Sequence, residues 1–443
     1  MSRVGLAAAV IALILVILVA GAGALTYFML FANHGTGTPS SATTTAGTSS
    51  TGAQSSIGST SSSSSSTAYS STVSSSTNSQ SNGPYGSVVS SLILYNNTLK
   101  AGAPEISDAT FTGNYSTIAI LDTIYDPSNE NLYVSGLNSS ANPLDPDIVL
   151  VVSTTTNRVV ADIQLADGAA PTQMTFDSSN GYIYGTAPST AAANITVIDA
   201  NTNTALPNFT PPGKGCGSYY FSECTASGIA YDSNANVLYT GYCCDFQGND
   251  YLVTIDPSTQ TAAGTLVLPH YMVFGNMMYD SANQLLYITS DTSAYGNVLG
   301  NVTVIQPGTD TILKVIPIGD PSEWSTFAVN SPGGPNQEIF VACEGNISVI
   351  DAQSNAVVQT INLPKTASGI PPSMMVGVAY DSKDGLLYVT IGLEPEEVLV
   401  FSNSFTLVGT IATNIPTYSI AFAASSGEVY VGDLSFGVID IIS

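Results

Sequence analysis

The chain has 443 residues, of which 7 are Lys or Arg and 32 are Asp or Glu, a formal net charge of −25. Side chains that would neutralise phosphates are nearly absent, which excludes nucleic acid as a partner. With only 9% of residues charged, the surface is made polar by Ser, Thr, Asn and Gly, and the scarcity of bases means little cationic self-repulsion in acid.

Residues 4–32 form an apolar run without charge, longer than the roughly 20 residues that cross a bilayer core. Arg3 precedes it and no basic cluster follows, which orients the N-terminus to the cytoplasm and the rest outside. Residues 1–35 are therefore expected to be a transmembrane helix, with the membrane as its partner. The alternative is a cleaved signal peptide and a secreted protein, since Ala20-Gly21-Ala22 and Ala22-Gly23-Ala24 fit the small-residue cleavage pattern. Residues 36–85 are rich in Ser and Thr, with residues 61–66 all Ser. So few apolar groups cannot offset the entropy of ordering, so a disordered stalk is expected, suited to O-glycosylation. As a flexible coil it would span roughly 35–40 Å.

Residues 86–443 repeat. The clearest copy runs Val378-Ala379-Tyr380-Asp381-Ser382-Lys383-Asp384-Gly385-Leu386-Leu387-Tyr388-Val389-Thr390. Related aromatic-centred strands are Leu132-Tyr133-Val134, Ile183-Tyr184-Gly185, Leu238-Tyr239-Thr240, Leu286-Tyr287-Ile288, Val429-Tyr430-Val431 and the weaker Ile339-Phe340-Val341. A second signature follows in most units, as in Val197-Ile198-Asp199-Ala200-Asn201-Thr202-Asn203 and Val349-Ile350-Asp351-Ala352-Gln353-Ser354-Asn355. Each unit thus holds four short strands separated by polar turns. One such sheet cannot bury both faces, but seven packed radially can. The predicted fold is all-β, a seven-bladed β-propeller of four-stranded blades. The last unit ends after its third strand, and residues 86–100 have no unit of their own, so they are expected to supply the missing strand and remove an exposed edge.

These motifs resemble the YVTN-type β-propeller repeat proteins, the strand signature in Leu387-Tyr388-Val389-Thr390 and the turn signature in residues 197–203. The resemblance spans residues 86–443 and implies a propeller. Such repeats occur in archaeal surface-layer-type proteins, and the anchor, stalk and glycosylation sequons here are similar to that group.

The Asp-rich turns, such as Asp126-Pro127-Ser128-Asn129-Glu130-Asn131, lack the ligand order of a calcium loop and read as backbone-capping turns. No metal, cofactor or catalytic residue is assigned. The histidines, His34 and His270, form no ligand set, and beyond Arg3 the only Arg is Arg158. Cys216, Cys224, Cys243 and Cys244 are disulfide candidates outside the membrane. Asn96, Asn114, Asn138, Asn194, Asn208, Asn301 and Asn346 are N-glycosylation candidates. Loops joining second to third strands are long and variable, the usual place for function on a rigid scaffold. Their candidate binding residues are Tyr242, Phe246, Tyr295, Glu394, Glu396 and Glu397, suited to a glycan or a surface protein. The composition favours non-enzymatic binding, adhesion or envelope architecture. The alternative is an extracellular hydrolase or lyase using carboxylates on the long-loop face.

Overall fold

The structure, a computed structural model, describes residues 86–93, 98–100, 118–138, 147–165, 169–187, 194–210, 226–242, 250–268, 275–290, 300–309, 311–319, 326–330, 337–343, 345–364, 377–392, 396–413, 415–433 and 437–443. The expected anchor and stalk, residues 1–85, lie outside the described residues. No helix among the described residues is long and apolar enough to cross a membrane.

Two short strands come first, β1 (Val88–Ile93) and β2 (Thr98–Lys100). Six antiparallel four-stranded sheets follow in strict chain order. Blade 1 holds β3 (Ile118–Asp126), β4 (Asn131–Asn138), β5 (Ile148–Ser153) and β6 (Arg158–Gln164). Blade 2 holds β7 (Gln173–Asp177), β8 (Tyr182–Ala187), β9 (Asn194–Asp199) and β10 (Thr204–Phe209). Blade 3 holds β11 (Ala226–Asp232), β12 (Val237–Tyr242), β13 (Asp250–Asp256) and β14 (Thr261–Leu268). Blade 4 holds β15 (Met277–Asp280), β16 (Leu285–Ser290), β17 (Gly300–Gln306) and β18 (Thr311–Ile318). Blade 5 holds β19 (Phe327–Val329), β20 (Glu338–Cys343), β21 (Asn346–Asp351) and β22 (Ala356–Asn362). Blade 6 holds β23 (Val378–Asp381), β24 (Leu386–Thr390), β25 (Glu397–Phe401) and β26 (Leu407–Ala412).

The seventh sheet draws on both ends of the chain. Its order is β2-β1-β29-β28-β27, with β27 (Ser419–Ala423), β28 (Glu428–Gly432) and β29 (Val438–Ile442) from the C-terminal side. Strand β1 pairs antiparallel with β29, from Val88↔Ile442 to Ile93↔Val438. Ser87 and Ser443 exchange backbone bonds of 3.2 and 3.3 Å, and the Ser91 hydroxyl donates to the buried Asp440 carboxylate. Blade 7 is therefore a four-stranded blade with β2 added at its rim.

Seven apolar clusters fill the seven gaps between blades. The period-2 alternation of a strand decides which gap each residue enters. In β4, Leu132 and Val134 join the cluster shared with blade 7, whereas Tyr133 between them joins the one shared with blade 2. Both faces being buried, inner strands read as unbroken apolar runs, such as Ile148-Val149-Leu150-Val151-Val152 in β5. The fourth strands form the rim, and β14 alternates between exposed and half-buried positions.

Candidate binding face

The ring has two unlike ends. On one, first and second strands are joined by tight turns in every blade but blade 5, whose connection from Val329 to Glu338 is longer. First-strand residues Asp126, Asp177, Asp232, Asp280 and Asp381 are buried at the turn into the second strand. Each accepts backbone N–H groups ahead of it: Ser128 to Asp126 at 2.8 Å, Ser179 to Asp177 at 2.8 Å, Asn234 to Asp232 at 2.8 Å, Ala282 to Asp280 at 3.0 Å and Lys383 to Asp381 at 2.7 Å. These carboxylates cap turns, as that residue type does where the chain reverses. Among the described residues no three His, Cys, Asp or Glu side chains are grouped to hold a metal.

The third–fourth turns on this end carry the links between blades. Tyr133 of blade 1 donates to Ala200 O at 3.0 Å and Asn203 Oδ1 at 2.8 Å in blade 2. Tyr287 of blade 4 donates to Asn355 Oδ1 of blade 5 at 2.7 Å, and Tyr430 of blade 7 to Asn157 Oδ1 of blade 1 at 2.5 Å. The three Asn residues share a left-handed backbone, with φ of 54°, 50° and 53° for Asn203, Asn355 and Asn157, a conformation Asn tolerates better than most residues. Between blades 5 and 6 both partners change together. Phe340 replaces the Tyr, and Phe405, at φ 57°, replaces the Asn. Their rings meet edge-on at 5.7 Å. Burial raises the Tyr133 and Tyr184 phenols to about 12, and pushes Tyr287 and Tyr430 up as well.

The hydroxyl two residues beyond the second-strand aromatic makes contact at the other end. Ser135 Oγ donates to Pro171 O at 2.6 Å, where the chain comes into blade 2, and Thr390 Oγ1 to Tyr418 O at 3.2 Å, where it comes into blade 7. In blade 1 the second strand thus reaches blade 2 at two heights, through Tyr133 at one end and Ser135 at the other.

This second end carries the long loops and one mouth of the central channel. Around the mouth, the residue four before each turn Asp, or its equivalent, is Asp122, Gln173, Gly228, Asn276, Thr326, Gly377 and Ser419. Several cross to the next blade. Asp122 Oδ2 accepts from Met174 N at 2.6 Å, Gln173 Oε1 from Ile229 N at 2.8 Å, and Thr326 Oγ1 from Val378 N at 2.8 Å. Thr123 Oγ1 and Ser419 Oγ lie 2.9 Å apart, joining blades 1 and 7. Gln173 reaches a third blade, with Met277 N donating to Oε1 at 3.2 Å and Nε2 donating to Met277 O at 2.9 Å. Gly228 makes room for this, because a Cβ there would stand 2.6 Å from Gly275 O and 2.8 Å from Met277 Cγ.

Asp122 is the one carboxylate among these seven positions. Burial raises it from 3.8 to about 7, against the lowering effect of the Thr123 and Met174 backbone bonds. These seven positions are thus two amides, two hydroxyls, two glycines and one acid, with no second carboxylate among them. Sequence reasoning missed Asp122 and Gln173 because the position differs in type from blade to blade. Aligning the copies and reading four residues upstream of each turn Asp is the signal that finds them.

Of the candidate binding residues, Glu396 is exposed and Glu397 half-buried at the start of β25, on the long-loop end. Burial raises the Glu397 carboxyl. Tyr242 ends β12, and its side chain lies outside the described residues, as do Phe246, Tyr295 and Glu394. Cys216, Cys224, Cys243 and Cys244 also fall outside them. Cys343 is a fully buried thiol, its Sγ 3.5 Å from Val341 O. Asn194 and Asn346 open third strands and Asn301 is the second residue of one, all three half-exposed, and the hydroxyl residues of their sequons, Thr196, Thr303 and Ser348, are buried in the blades. Asn208 is exposed on β10. Asn96, Asn114 and the side chain of Asn138 lie outside the described residues.

The class defined by this topology is the seven-bladed β-propeller. No family model and no curated protein matches the chain. Solved structures do. Kuenenia stuttgartiensis hydrazine synthase is similar at a TM-score of 0.55 and 13% identity, over 76% of this chain and 98% of that one. The RRP9 WD40 repeats give 0.54 and 12%, over 81% and 98%. U3-55K gives 0.53 and 13%, over 73% and 95%. At such identities the likeness concerns the fold alone.

Proposed function

We propose that this chain is a non-enzymatic cell-surface propeller of the YVTN-type, surface-layer-like group, serving in binding, adhesion or envelope architecture. One observation carries the reading: residues 86–443 fill seven blades and close the ring on their own strands. The preceding 85 residues are therefore spare for another task, and their order, an apolar run and then Ser and Thr, suits an anchor and a spacer. The single carboxylate among the seven mouth positions supports recognition over acid–base chemistry, which needs paired groups of separated acidity. Glycans on the sequons and disulfides among the four clustered cysteines would accord with an extracellular ring.

Membrane fractionation with proteolysis of intact cells tests this. The full chain is expected to stay with membranes after an alkaline wash and to lose its ring to protease added outside. A chain found in the cytoplasm, or protected until the cells are lysed, rules the reading out.

A further inference from the structure

The polarity of β1 decides which end of the ring the tether holds. In blades 1 to 6 the fourth strand starts at the third–fourth turn, on the short-turn end, and runs toward the long-loop end. Strand β1 takes the fourth place in blade 7 and runs the same way, since Val88 pairs with Ile442 and Ile93 with Val438. Residue 86 therefore lies where a third–fourth turn would be. Gly86, at φ 103°, is so close to the C-terminal residue that a Cβ would stand 3.1 Å from Ser443 O. The chain toward residue 1 leaves from this end, beside the Asp-capped turns and the Tyr–Asn links.

We propose that the tether joins the ring at its short-turn face, so that on time average this face lies nearer the membrane and the long-loop face with its channel mouth lies farther from it, even across a coiled stalk of roughly 35–40 Å. This rests on the reading of residues 1–35 as an anchor. The two faces then divide their tasks. The tethered face carries the tight turns and the Tyr–Asn links between blades, including Tyr133 to Asn203 and Tyr287 to Asn355. The presented face carries Glu396, Glu397, the Asp122–Gln173 belt and the third-strand sequons at Asn194, Asn301 and Asn346.

Energy transfer to a headgroup dye tests the orientation. The full chain is placed in lipid vesicles with a donor dye on a bio-orthogonal side chain, introduced either at Ser258, in an exposed third–fourth turn, or at Glu396, on the long-loop end. Both positions are exposed, so neither label disturbs the core. Larger transfer from position 258 than from 396 is the expected result. Equal or reversed transfer, with the chain firmly in the vesicles, overturns the orientation alone. Absence of the chain from the vesicles overturns the anchor reading and the orientation with it.

Discussion

Tyr287 and Asn355 sit in different blades, and the 2.7 Å bond between them is repeated in kind at Tyr133–Asn203 and Tyr430–Asn157. Neither group in such a pair changes charge between strong acid and the raised pKa of the phenol, so these links are indifferent to acid. Tyr287→Phe removes the donor to the half-buried Asn355 Oδ1 and the acceptor of Asn283 Nδ2, and is expected to cost about 1–3 kcal/mol in denaturant titration. The aromatic pair gives a sharper test. Phe340→Tyr alone introduces a buried hydroxyl opposite Phe405 and destabilises the ring by about 1–3 kcal/mol. Adding Phe405→Asn supplies the acceptor, and a double-mutant cycle should show favourable coupling of at least about 0.5 kcal/mol. Additive losses would mean that the two positions do not form one link.

Asp122 behaves differently because it titrates. Its folded-state pKa, about 7, lies above its ordinary 3.8, so the folded ring binds a proton that the unfolded chain releases between those values. Stability from this group is fully present below about pH 4 and falls as pH rises toward 7, by an amount on the order of a few kcal/mol. Asp122→Asn should flatten that part of the stability–pH curve. An unchanged slope would show that another group sets it. A belt carboxylate that prefers its proton acts in the same direction as the small cationic self-repulsion that few bases leave in acid.

At the scale of elements, the strands were the most legible part of the sequence. The aromatic-centred copies at Tyr133, Tyr184, Tyr239, Tyr287, Phe340, Tyr388 and Tyr430 all fall in second strands. They were readable because both sheet faces are buried, which forces apolar runs, and because the turns need Asp and a left-handed fourth residue. Gly385 is such a residue, at φ 72°, with Asn403 so close that a Cβ would stand 2.4 Å from its Nδ2. Gly385→Ala is expected to cost about 1–2 kcal/mol from backbone strain alone, measured by thermal or denaturant unfolding. The channel belt was harder to read, since its position is fixed by spacing but its residue type varies from blade to blade and its bonds run to backbone N–H groups of the next blade. The long-loop candidates, taken from exposed aromatic and acidic types, carried no repeat to place them.

Closure belongs to this scale too. Leu92 on β1 is fully buried in the cluster between blades 7 and 1. Leu92→Ala should cost about 2–5 kcal/mol, as for other buried leucines. Deleting residues 84–100 removes β1 and β2 together and bares the edge of β29, so the ring should unfold or aggregate. A soluble truncated ring with an unchanged unfolding midpoint would contradict the role given to β1.

For the whole molecule, bonds between blades recur at both ends of the ring, whereas the long loops stand at one end alone. The Asp-capped turns and the Tyr–Asn links stand at one end, and the loops between second and third strands stand at the other, joined to the scaffold by strands that the blades already hold. Such a division leaves the loop face able to change without loss of the ring, which suits a displayed recognition surface. The most direct measurement is the unfolding free energy of a chain in which the loops at 139–146 and 291–299 are replaced by short Gly/Asn turns, compared with Tyr287→Phe. The account predicts a loop-replaced ring within about 1 kcal/mol of the parent, and a clearly larger loss for the single lost link. Collapse of the ring on loop replacement, with Tyr287→Phe neutral, would contradict it.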